Sequence, residues 1–198
     1  LIDKDLTTES NSIPEITEEQ SETEVLESNF KKYIFQFGLG SGYSFYFPII
    51  DTAVATMDQS SLSRIPMGLE LLFGSRMSDY TAWTISLLSG IDIFSSGSDF
   101  FQLYSMILSA GFQYNPFKRG LIVGLDAGMS MLIPNTNLSY IGSVEFGSAI
   151  VFNLAYAFDM LKFSKLEIVP GLGIKLIHSE LFRGSVNLIS GYINLAIR

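Results

Sequence analysis

Large apolar residues alternate with small or polar residues from Tyr33 onward, which is the two-residue period of a β-strand. In the stretch Tyr33–Phe45, aromatic and aliphatic residues occupy one face, while glycine, serine and glutamine occupy the other. The face without large side chains lacks the charged residues that a water-exposed face needs. We therefore interpret the apolar face as the outer, lipid-facing surface of a closed barrel and the small-residue face as its lumen.

Eight segments of the chain repeat this alternation, and each predicts one membrane-spanning strand. An even number of antiparallel strands closes into a barrel without a free edge, which the hydrocarbon core of a membrane requires. The predicted fold class is an all-β, eight-stranded antiparallel up-and-down transmembrane β-barrel with a disordered acidic N-terminal tail. The eight segments are Tyr33–Tyr46, Ile65–Gly74, Thr81–Ile93, Phe101–Tyr114, Leu121–Leu132, Tyr140–Phe158, Leu166–Ile177 and Ser185–Arg198.

Two prolines fall within these segments, Pro66 at the start of the second and Pro170 inside the seventh. Each removes a backbone donor from the strand ladder. Proline is tolerated at a rim, so Pro66 agrees with the prediction. Pro170 predicts a bulge or a later start of the seventh strand.

The connections at the two ends of the predicted barrel differ in length and charge. Ser75–Tyr80, Asn115–Gly120 and Asp159–Lys165 are short and carry Arg or Lys, whereas the long loop Phe47–Arg64 lies at the other end. In bacterial barrels the short turns face the periplasm and the longer loops face outside. We therefore expect the bacterial outer membrane as the location, with both chain termini in the periplasm.

The composition supports a membrane protein of strands. Hydrophobic residues make up 47% of the 198 residues and charged residues only 16%, against a usual charged share of about 25%. No uninterrupted apolar run of about 18 residues predicts a membrane-spanning helix. Cysteine is absent, which excludes disulfides, a thiol nucleophile and a cysteine zinc site. The chain begins at Leu1, and we interpret it as a mature or trimmed form whose export signal has been removed.

The negative charge is confined to the N-terminal tail. Residues 1–28 contain nine acids and one base, whereas residues 29–198 contain eleven of each. A segment this polar buries too little apolar surface to fold, so residues 1–30 are predicted to be a disordered periplasmic tail and 31–198 the barrel. The alternative is a short helix over Ile16–Glu27 that docks elsewhere. No basic patch is present, so nucleic acid is not an expected partner.

With its eight alternating segments, the glycine-rich run Gly38–Gly42 and aromatic residues grouped at strand ends, the chain resembles the eight-stranded outer-membrane barrels of the OmpA transmembrane domain, OmpX and OmpW types. The resemblance implies a monomer in a lipid bilayer, inserted by the barrel-assembly machinery. It also implies two aromatic girdles. The expected periplasmic girdle is Tyr33, Phe35, Phe73, Trp83, Tyr114, Tyr156 and Phe158, and the expected outer girdle is Tyr43, Phe45, Phe94, Phe100, Phe101 and Tyr140.

Two features depart from the resemblance. Such barrels usually end on an aromatic residue that the assembly machinery reads, but here the chain stops at Arg198, so either a terminal aromatic is missing or another signal is used. The outer loops hold only two bases, Arg64 and Arg183. Bases at that position usually face anionic lipopolysaccharide. Their scarcity suggests an outer leaflet poor in that lipid, as in some spirochaetes.

Charged residues in the predicted lumen form the candidate polar network. Asp126, Glu145 and Lys175 fall on three successive strands at comparable height, so we expect the lysine to be held between the two carboxylates. Buried charges must be paired or hydrated, which favours an ion-pair network that plugs a narrow barrel over a selectivity element or proton gate. The expected lumen network is Glu70, Asp92, Asp126, Glu145, Glu167 and Lys175.

Other candidate chemistry is sparse. His178 is the only histidine and precedes Ser179 and Glu180, a set that resembles the groups used by lipid-hydrolysing barrels. Adjacent strand residues point to opposite faces, so we interpret His178 as a surface residue. The inward glycines either let the strands curve or leave a narrow passage. No cofactor, metal site or catalytic set is predicted.

The function expected from these features is that of a non-enzymatic outer-membrane protein with an envelope-structural or surface-interaction role. The candidate contact is the long loop, through Ile49, Ile50, Val54 and Met57, with an extracellular or host ligand as its partner. The alternative is a narrow channel for small or hydrophobic solutes, as in OmpW. A lipid-modifying enzyme ranks below both, and a soluble lipocalin-type carrier is disfavoured because its outer face would need charges.

Overall fold

The structure, a computed structural model, describes residues 33–46, 48–117, 120–137, 143–158, 161–163 and 166–197. The predicted disordered tail, Tyr140 and Arg198 lie outside these residues, as do the side chains of Ile49 and Glu167. In chain order the elements are β1 Tyr33–Phe45, α1 Pro48–Ala55, β2 Ser63–Arg76, β3 Thr81–Ser96, β4 Asp99–Tyr114, β5 Leu121–Thr136, β6 Glu145–Ala157, β7 Leu161–Phe163, β8 Leu166–Leu181 and β9 Gly184–Ile197.

Eight of the strands form one closed antiparallel sheet. Neighbours in sequence pair from β1 to β6, β6 pairs with β8, and β9 closes the ring by pairing with both β8 and β1. The closing ladder runs from Phe35 opposite Ile197 to Phe45 opposite Asn187. The three-residue β7 stands outside the ring and pairs with β8. The predicted eight-stranded up-and-down barrel is confirmed.

The orientation inferred from the alternation is also confirmed. In β1 the side chains of Ile34 and Gln36 are buried in the lumen, while Tyr33, Phe35 and Phe37 are exposed on the outside. The other barrel strands repeat this alternation of buried and exposed positions. The lumen therefore holds the small and polar residues, and the large apolar residues face outward.

Inward glycines let adjacent strands approach closely. An added Cβ at Gly128 would overlap the carbonyl oxygen of Leu108, and one at Gly147 would overlap that of Glu180. No other residue type fits such positions without a shift of the backbone. At these sites the glycines accommodate the tight curvature of a small barrel, the first of the two roles that the sequence left open.

The two ends of the barrel differ, and we name them by what they carry. The terminal end holds the start of β1 and the end of β9, whereas the loop end holds α1 and the two-residue turns Gly97–Ser98 and Phe182–Arg183. Gly97 has a φ of 59°, which a two-residue hairpin favours and a side chain disfavours. The strands extend further into this end than the predicted segments Thr81–Ile93 and Phe101–Tyr114, so only a tight turn joins β3 to β4.

Each proline lies just beyond the end of one neighbouring ladder, Pro66 beyond the β1–β2 ladder and Pro170 beyond the β6–β8 ladder. The carbonyl oxygen of Pro170 accepts a hydrogen bond from Phe158 N at 2.8 Å, just beyond the last β6 pairing at Ala157. β8 runs through Pro170 without a late start, so that expectation is wrong. The backbone N–H that Pro170 lacks would lie at the rim of the barrel, where the β6–β8 ladder has ended, so no ladder hydrogen bond is lost. Among the described residues no helix is long and apolar enough to cross a membrane.

Candidate functional site

A buried ion pair occupies the middle of the lumen. Lys175 Nζ on β8 donates to Glu70 Oε1 on β2, and each side chain is only 4% exposed. The second carboxylate oxygen of Glu70 accepts from Gln36 Nε2 at 3.4 Å. Lys175 Nζ also lies 4.7 Å from the centre of the Tyr192 ring, a cation–π contact. These contacts replace the hydration that both charges lose on burial.

The lysine is not held between Asp126 and Glu145, as the sequence predicted. Asp126 accepts a hydrogen bond from Thr84 Oγ1 at 3.0 Å and interacts with Lys175 and Glu70 only through the electric field. Glu145 pairs with Leu132 in the ladder, six residues along β5 from Asp126, which is about 20 Å at the rise of a strand. The prediction assumed that the three residues lie at the same height in the barrel, and the observed strand register shows that they do not.

The two bases expected in the outer loops instead neutralise inward acids. Arg64 Nε lies 2.9 Å from Asp92 Oδ1, and Tyr46 Oη donates to Asp92 Oδ2 at 2.9 Å. Arg183 Nε lies 3.0 Å from Glu145 Oε1. Asp92 and Glu145 therefore belong to ion pairs at the loop end, separate from the central pair. The side chain of Glu167 is outside the described residues.

Hydroxyl and amide groups complete the central polar layer. Tyr192 Oη donates to Asn153 Oδ1, and the hydroxyls of Ser86 and Ser109 lie 2.8 Å apart. All four side chains are buried. The layer is therefore a network whose polar groups satisfy one another, as a lumen without bulk water requires.

An apolar cluster closes the loop end above this layer, and we call it the mouth cluster. Ile50 of α1 is 1% exposed and Met57 is 2% exposed, and Val54 packs against the cluster from the same side. Ile50 and Val54 are four residues apart and share one face of α1, and Met57 follows in the turn after the helix, where its N–H donates to Val54 O at 3.1 Å. The mouth cluster consists of Ile50, Met57, Phe94, Phe101, Leu103, Leu132 and Leu181.

The mouth cluster corrects two predictions. The loop Phe47–Arg64 was expected to present Ile50 and Met57 to an external partner, but both are buried inside the barrel mouth. Phe94 and Phe101 were expected in the outer girdle, yet they are 5% and 0% exposed. The alternation along β3 and β4 already places Phe94 and Phe101 at inward-facing positions. The girdle prediction considered only whether an aromatic residue lies near a strand end and not which face it occupies. The loop prediction likewise did not consider the helical spacing of its apolar residues.

Other residues of the predicted girdles face outward in the structure. Tyr33 and Phe73 stack with ring centres 6.0 Å apart, and Phe73 meets Trp83 edge-on at 5.9 Å. These rings and Tyr114, Tyr156 and Phe158 lie outward at the terminal end, while Tyr43 and Phe45 lie outward at the loop end.

His178 and Ser179 are not brought together. His178 is exposed on the outer face, with Nδ1 2.8 Å from Asn187 Oδ1 and Nε2 3.6 Å from Glu180 Oε2. Ser179 is buried in the lumen. A hydroxyl nucleophile on one side of the wall cannot use an imidazole base on the other. The described residues contain no group of His, Asp and Glu side chains that would hold a metal ion.

The wall of the barrel is split between β1 and β2 at the loop end. Their ladder ends at Gly40 opposite Gly68, although β1 stays paired with β9 as far as Phe45 and β2 stays paired with β3 as far as Ser63. Only side chains bridge the gap. Ser41 Oγ donates to Pro66 O at 2.9 Å, and Arg64 Nη2 donates to Ser44 O at 3.1 Å.

A cavity of about 70 Å³ lies directly behind this split. It has room for roughly five water molecules. Its lining joins the edges of the split to the polar layer, including Glu70, Lys175 and Tyr192 on one side. The apolar part of the lining consists mainly of Leu88, Leu103, Ile107, Ile177 and Leu188. Sequence reasoning missed this cavity because it depends on where one ladder stops.

Comparisons with known proteins give only distant structural likenesses. No family model matches the chain, and no curated protein matches its sequence. The crystal structure of Neisserial surface protein A is similar at 12% identity and a TM-score of 0.49, over 83% of this chain and 94% of that one. The translocator domain of the autotransporter NalP from Neisseria meningitidis is similar at 11% identity and a TM-score of 0.33, over 91% and 97%. Likeness at this level does not extend to function.

Proposed function

We propose that the protein is an integral β-barrel of the bacterial outer membrane whose lumen is closed along its axis and whose role is non-enzymatic. The observation that carries the proposal is the inversion of polarity. Phe112, Met129 and Ile193 are 62%, 71% and 69% exposed outside, while Glu70 and Lys175 are buried inside. In water the apolar band would be unfavourable by about 25 cal/mol for each Å². In a bilayer it is the matching surface.

The limits of the apolar band support a membrane location. At the loop end the outward positions of β4, β5, β6, β8 and β9 become polar, and at the terminal end several outward positions are aromatic. The barrel strands have 13 to 16 residues, more than the 9 to 11 or so that cross a bilayer. The outward polar residues that mark the loop-end boundary are Gln102, Asn135, Ser148, His178 and Asn187.

The packed lumen favours a structural role over an axial channel. Phe101 and Leu103 fill the mouth with α1, and the Glu70–Lys175 pair crosses the middle. A solute moving along the axis would have to displace both layers. The ring has no unpaired edge strand, which supports a monomer. The long connection from Phe45 to Ser63 lies at the loop end, which supports an external position of that end and a periplasmic position of both termini, with insertion by the barrel-assembly machinery.

Surface interaction is proposed through the β8–β9 turn and not through α1. Phe182 at its tip is 91% exposed, and Arg183 beside it is exposed as well. Because Arg183 is already paired with Glu145, the exposed ring of Phe182 is the contact that we propose, and it suits an extracellular or host ligand with an apolar part. Cells that display the Phe182→Ser variant should adhere less to immobilised host-matrix proteins than wild-type cells. Equal adhesion at equal surface level would contradict this part of the proposal.

Membrane extraction and conductance test the main proposal. The protein should stay with membranes in high-pH carbonate, require detergent for solubility and change its gel mobility on heating. In planar bilayers the wild type should show no conductance steps. A matched variant with Glu70→Ser, Lys175→Ser and residues 48–57 replaced by Gly/Ser should conduct. Solubility without detergent would overturn the membrane location, and wild-type conductance would overturn the closed lumen.

A further inference from the structure

We propose that the split between β1 and β2 is a lateral gate through which the end of a lipid acyl chain enters the cavity behind it. This inference rests on the proposed membrane location. It adds a ligand and a route to a barrel that is otherwise closed.

The split has a chemical cause in Pro66. Its carbonyl oxygen faces β1, where it accepts from Ser41 Oγ. In a strand the N–H and C=O of one residue point to the same side, so the donor that proline lacks is one that β1 would have received. The ladder ends two residues earlier, at Gly68. Unlike Pro170, Pro66 lies within a stretch where both flanking strands continue, so its missing donor leaves an opening in the wall.

The opening is held by side chains that can rotate. Ser41 contributes one exposed hydrogen bond, and Arg64 contributes one through Nη2. The Arg64 guanidinium also lies 4.1 Å from the centre of the Tyr43 ring and 4.8 Å from that of Phe94. Tyr46 Oη adds a hydrogen bond to Asp92 at 2.9 Å. Breaking these side-chain contacts disturbs far less structure than parting a strand ladder. The split therefore has the properties of a gate.

Space behind the gate exists because glycines line it. A Cβ added at Gly68 would have only ordinary contacts, with Ser89 O at 3.7 Å and Gly40 O at 3.8 Å. This contrasts with Gly128 and Gly147, where strands are in close contact. Gly68 thus fulfils the second role that the sequence left open for the glycines, that of leaving a passage.

The occupant is a hydrocarbon segment because of what surrounds the gate and the cavity. Outside the gate lie Leu39, Tyr43, Ile65 and Met67, all exposed and apolar or aromatic, so a molecule arriving there comes from the bilayer. The charges beside the cavity are already paired with each other, which leaves no counter-charge for an ion. A volume near 70 Å³ admits the end of a chain and not a whole lipid.

Nuclear Overhauser contacts between lipid and methyl groups test the gate. The perdeuterated, methyl-protonated protein is placed in nanodiscs of protonated dimyristoylphosphatidylcholine. Acyl-chain protons should show cross-peaks with the inward methyls of Leu88 and Ile107, which line the cavity. Ile34 and Leu72 are buried to the same degree as Ile107 but lie in a separate cluster, so they serve as internal controls without cross-peaks.

Two variants close the route in different ways. Pro66→Val restores the donor and should extend the β1–β2 ladder, and Gly68→Leu should fill the cavity. Either change should lower the Leu88 and Ile107 cross-peaks to the level of Ile34. Pro170→Val, at the other proline within a strand, should leave them unchanged. Retained heat-modifiable mobility verifies that each variant folds.

The outcomes separate this inference from the proposed function. Lipid cross-peaks to the outward methyls of Leu39 and Leu71 support the membrane location whether or not the cavity is occupied. If those peaks are present and Leu88 and Ile107 show none, the gate is overturned and the membrane location stands. Cross-peaks from water to Leu88 and Ile107 in place of lipid would overturn the acyl chain as occupant. Inward peaks that persist in both closing variants would overturn the route.

Discussion

Lys175 of β8 and Glu70 of β2 meet across the lumen although their strands are not neighbours in the ring. The pair joins opposite walls of the barrel, and each side chain is 4% exposed. A cross-lumen bond of this kind limits how far the walls can separate. Each charge also depends on the other for its stabilisation, because both are buried and water cannot take the place of a missing partner.

Removing one member of this pair should therefore destabilise the barrel strongly. Lys175→Met or Glu70→Gln alone should lower the free energy of unfolding by about 3–5 kcal/mol, whereas the double change to apolar residues should cost much less. Urea unfolding of the protein in phosphatidylcholine vesicles measures both. The exposed pair His178 and Glu180 is the control, and Glu180→Ala should cost at most about 1 kcal/mol. A single-site loss as small as the control would contradict the interpretation.

Phe101 should behave as a core residue and not as a membrane anchor. Phe101→Ala should lower the free energy of unfolding by about 3–5 kcal/mol, because the ring is fully buried in the mouth cluster and its removal leaves a cavity. Phe112→Ala on the outer face of the same strand is the matched control and should cost less. Equal losses would argue that Phe101 faces lipid, as the girdle prediction first had it.

The apolar face of α1 should hold the helix in the barrel mouth. Met57, in the turn directly after α1, contributes to this contact, and Met57→Ser should release the helix, because the buried thioether is replaced by a hydroxyl without an apolar contact. We expect protease cleavage within residues 46–62 to become at least tenfold faster, measured on the folded protein in vesicles. Asp51→Ser changes an exposed position of the same helix and should leave the rate unchanged. Equal rates in the two variants would show that α1 is not anchored through this face.

Asp58 should make that anchoring dependent on pH. Hydrogen bonds from Ser60 Oγ at 2.7 Å, Ser60 N at 3.0 Å and Ser61 Oγ at 3.1 Å lower the pKa of its carboxyl below the usual 3.8. A lowered pKa means that the carboxylate supports the turn above pH 3.8 and loses this effect as the pH falls through the lower folded value. Amide exchange of Met57 should rise in that range, and the Asp58→Asn variant should lack the rise.

The closely packed glycines should tolerate no side chain. Gly147→Val should prevent assembly, because its Cβ would overlap the Glu180 carbonyl oxygen and block the β6–β8 ladder. Refolding into detergent micelles should then give no heat-modifiable form. Gly68→Ala, at a glycine with ordinary space around it, should refold normally. Loss of folding in both variants would contradict the distinction between the two glycine roles.

The sequence by itself determined the strand count, the inward and outward faces and the antiparallel order. These follow from a two-residue period, which each strand expresses locally whatever its neighbours do. The same period placed Glu70, Asp92, Asp126, Glu145 and Lys175 in the lumen, where all of them are buried. The alternation along β3 and β4 also indicated that Phe94 and Phe101 face inward, and the four-residue spacing of Ile50 and Val54 indicated the helix.

Only the tertiary structure decided which of these residues meet. Pairing of Lys175 with Glu70, and not with Asp126 and Glu145, depends on the register of every ladder and on closure of β9 against β1. The split at Gly40 and Gly68 likewise depends on where the β1–β2 ladder ends relative to those on either side. A residue's face is a local property of the chain, but its partner across a closed barrel is set by the sum of all the registers, which no single segment encodes.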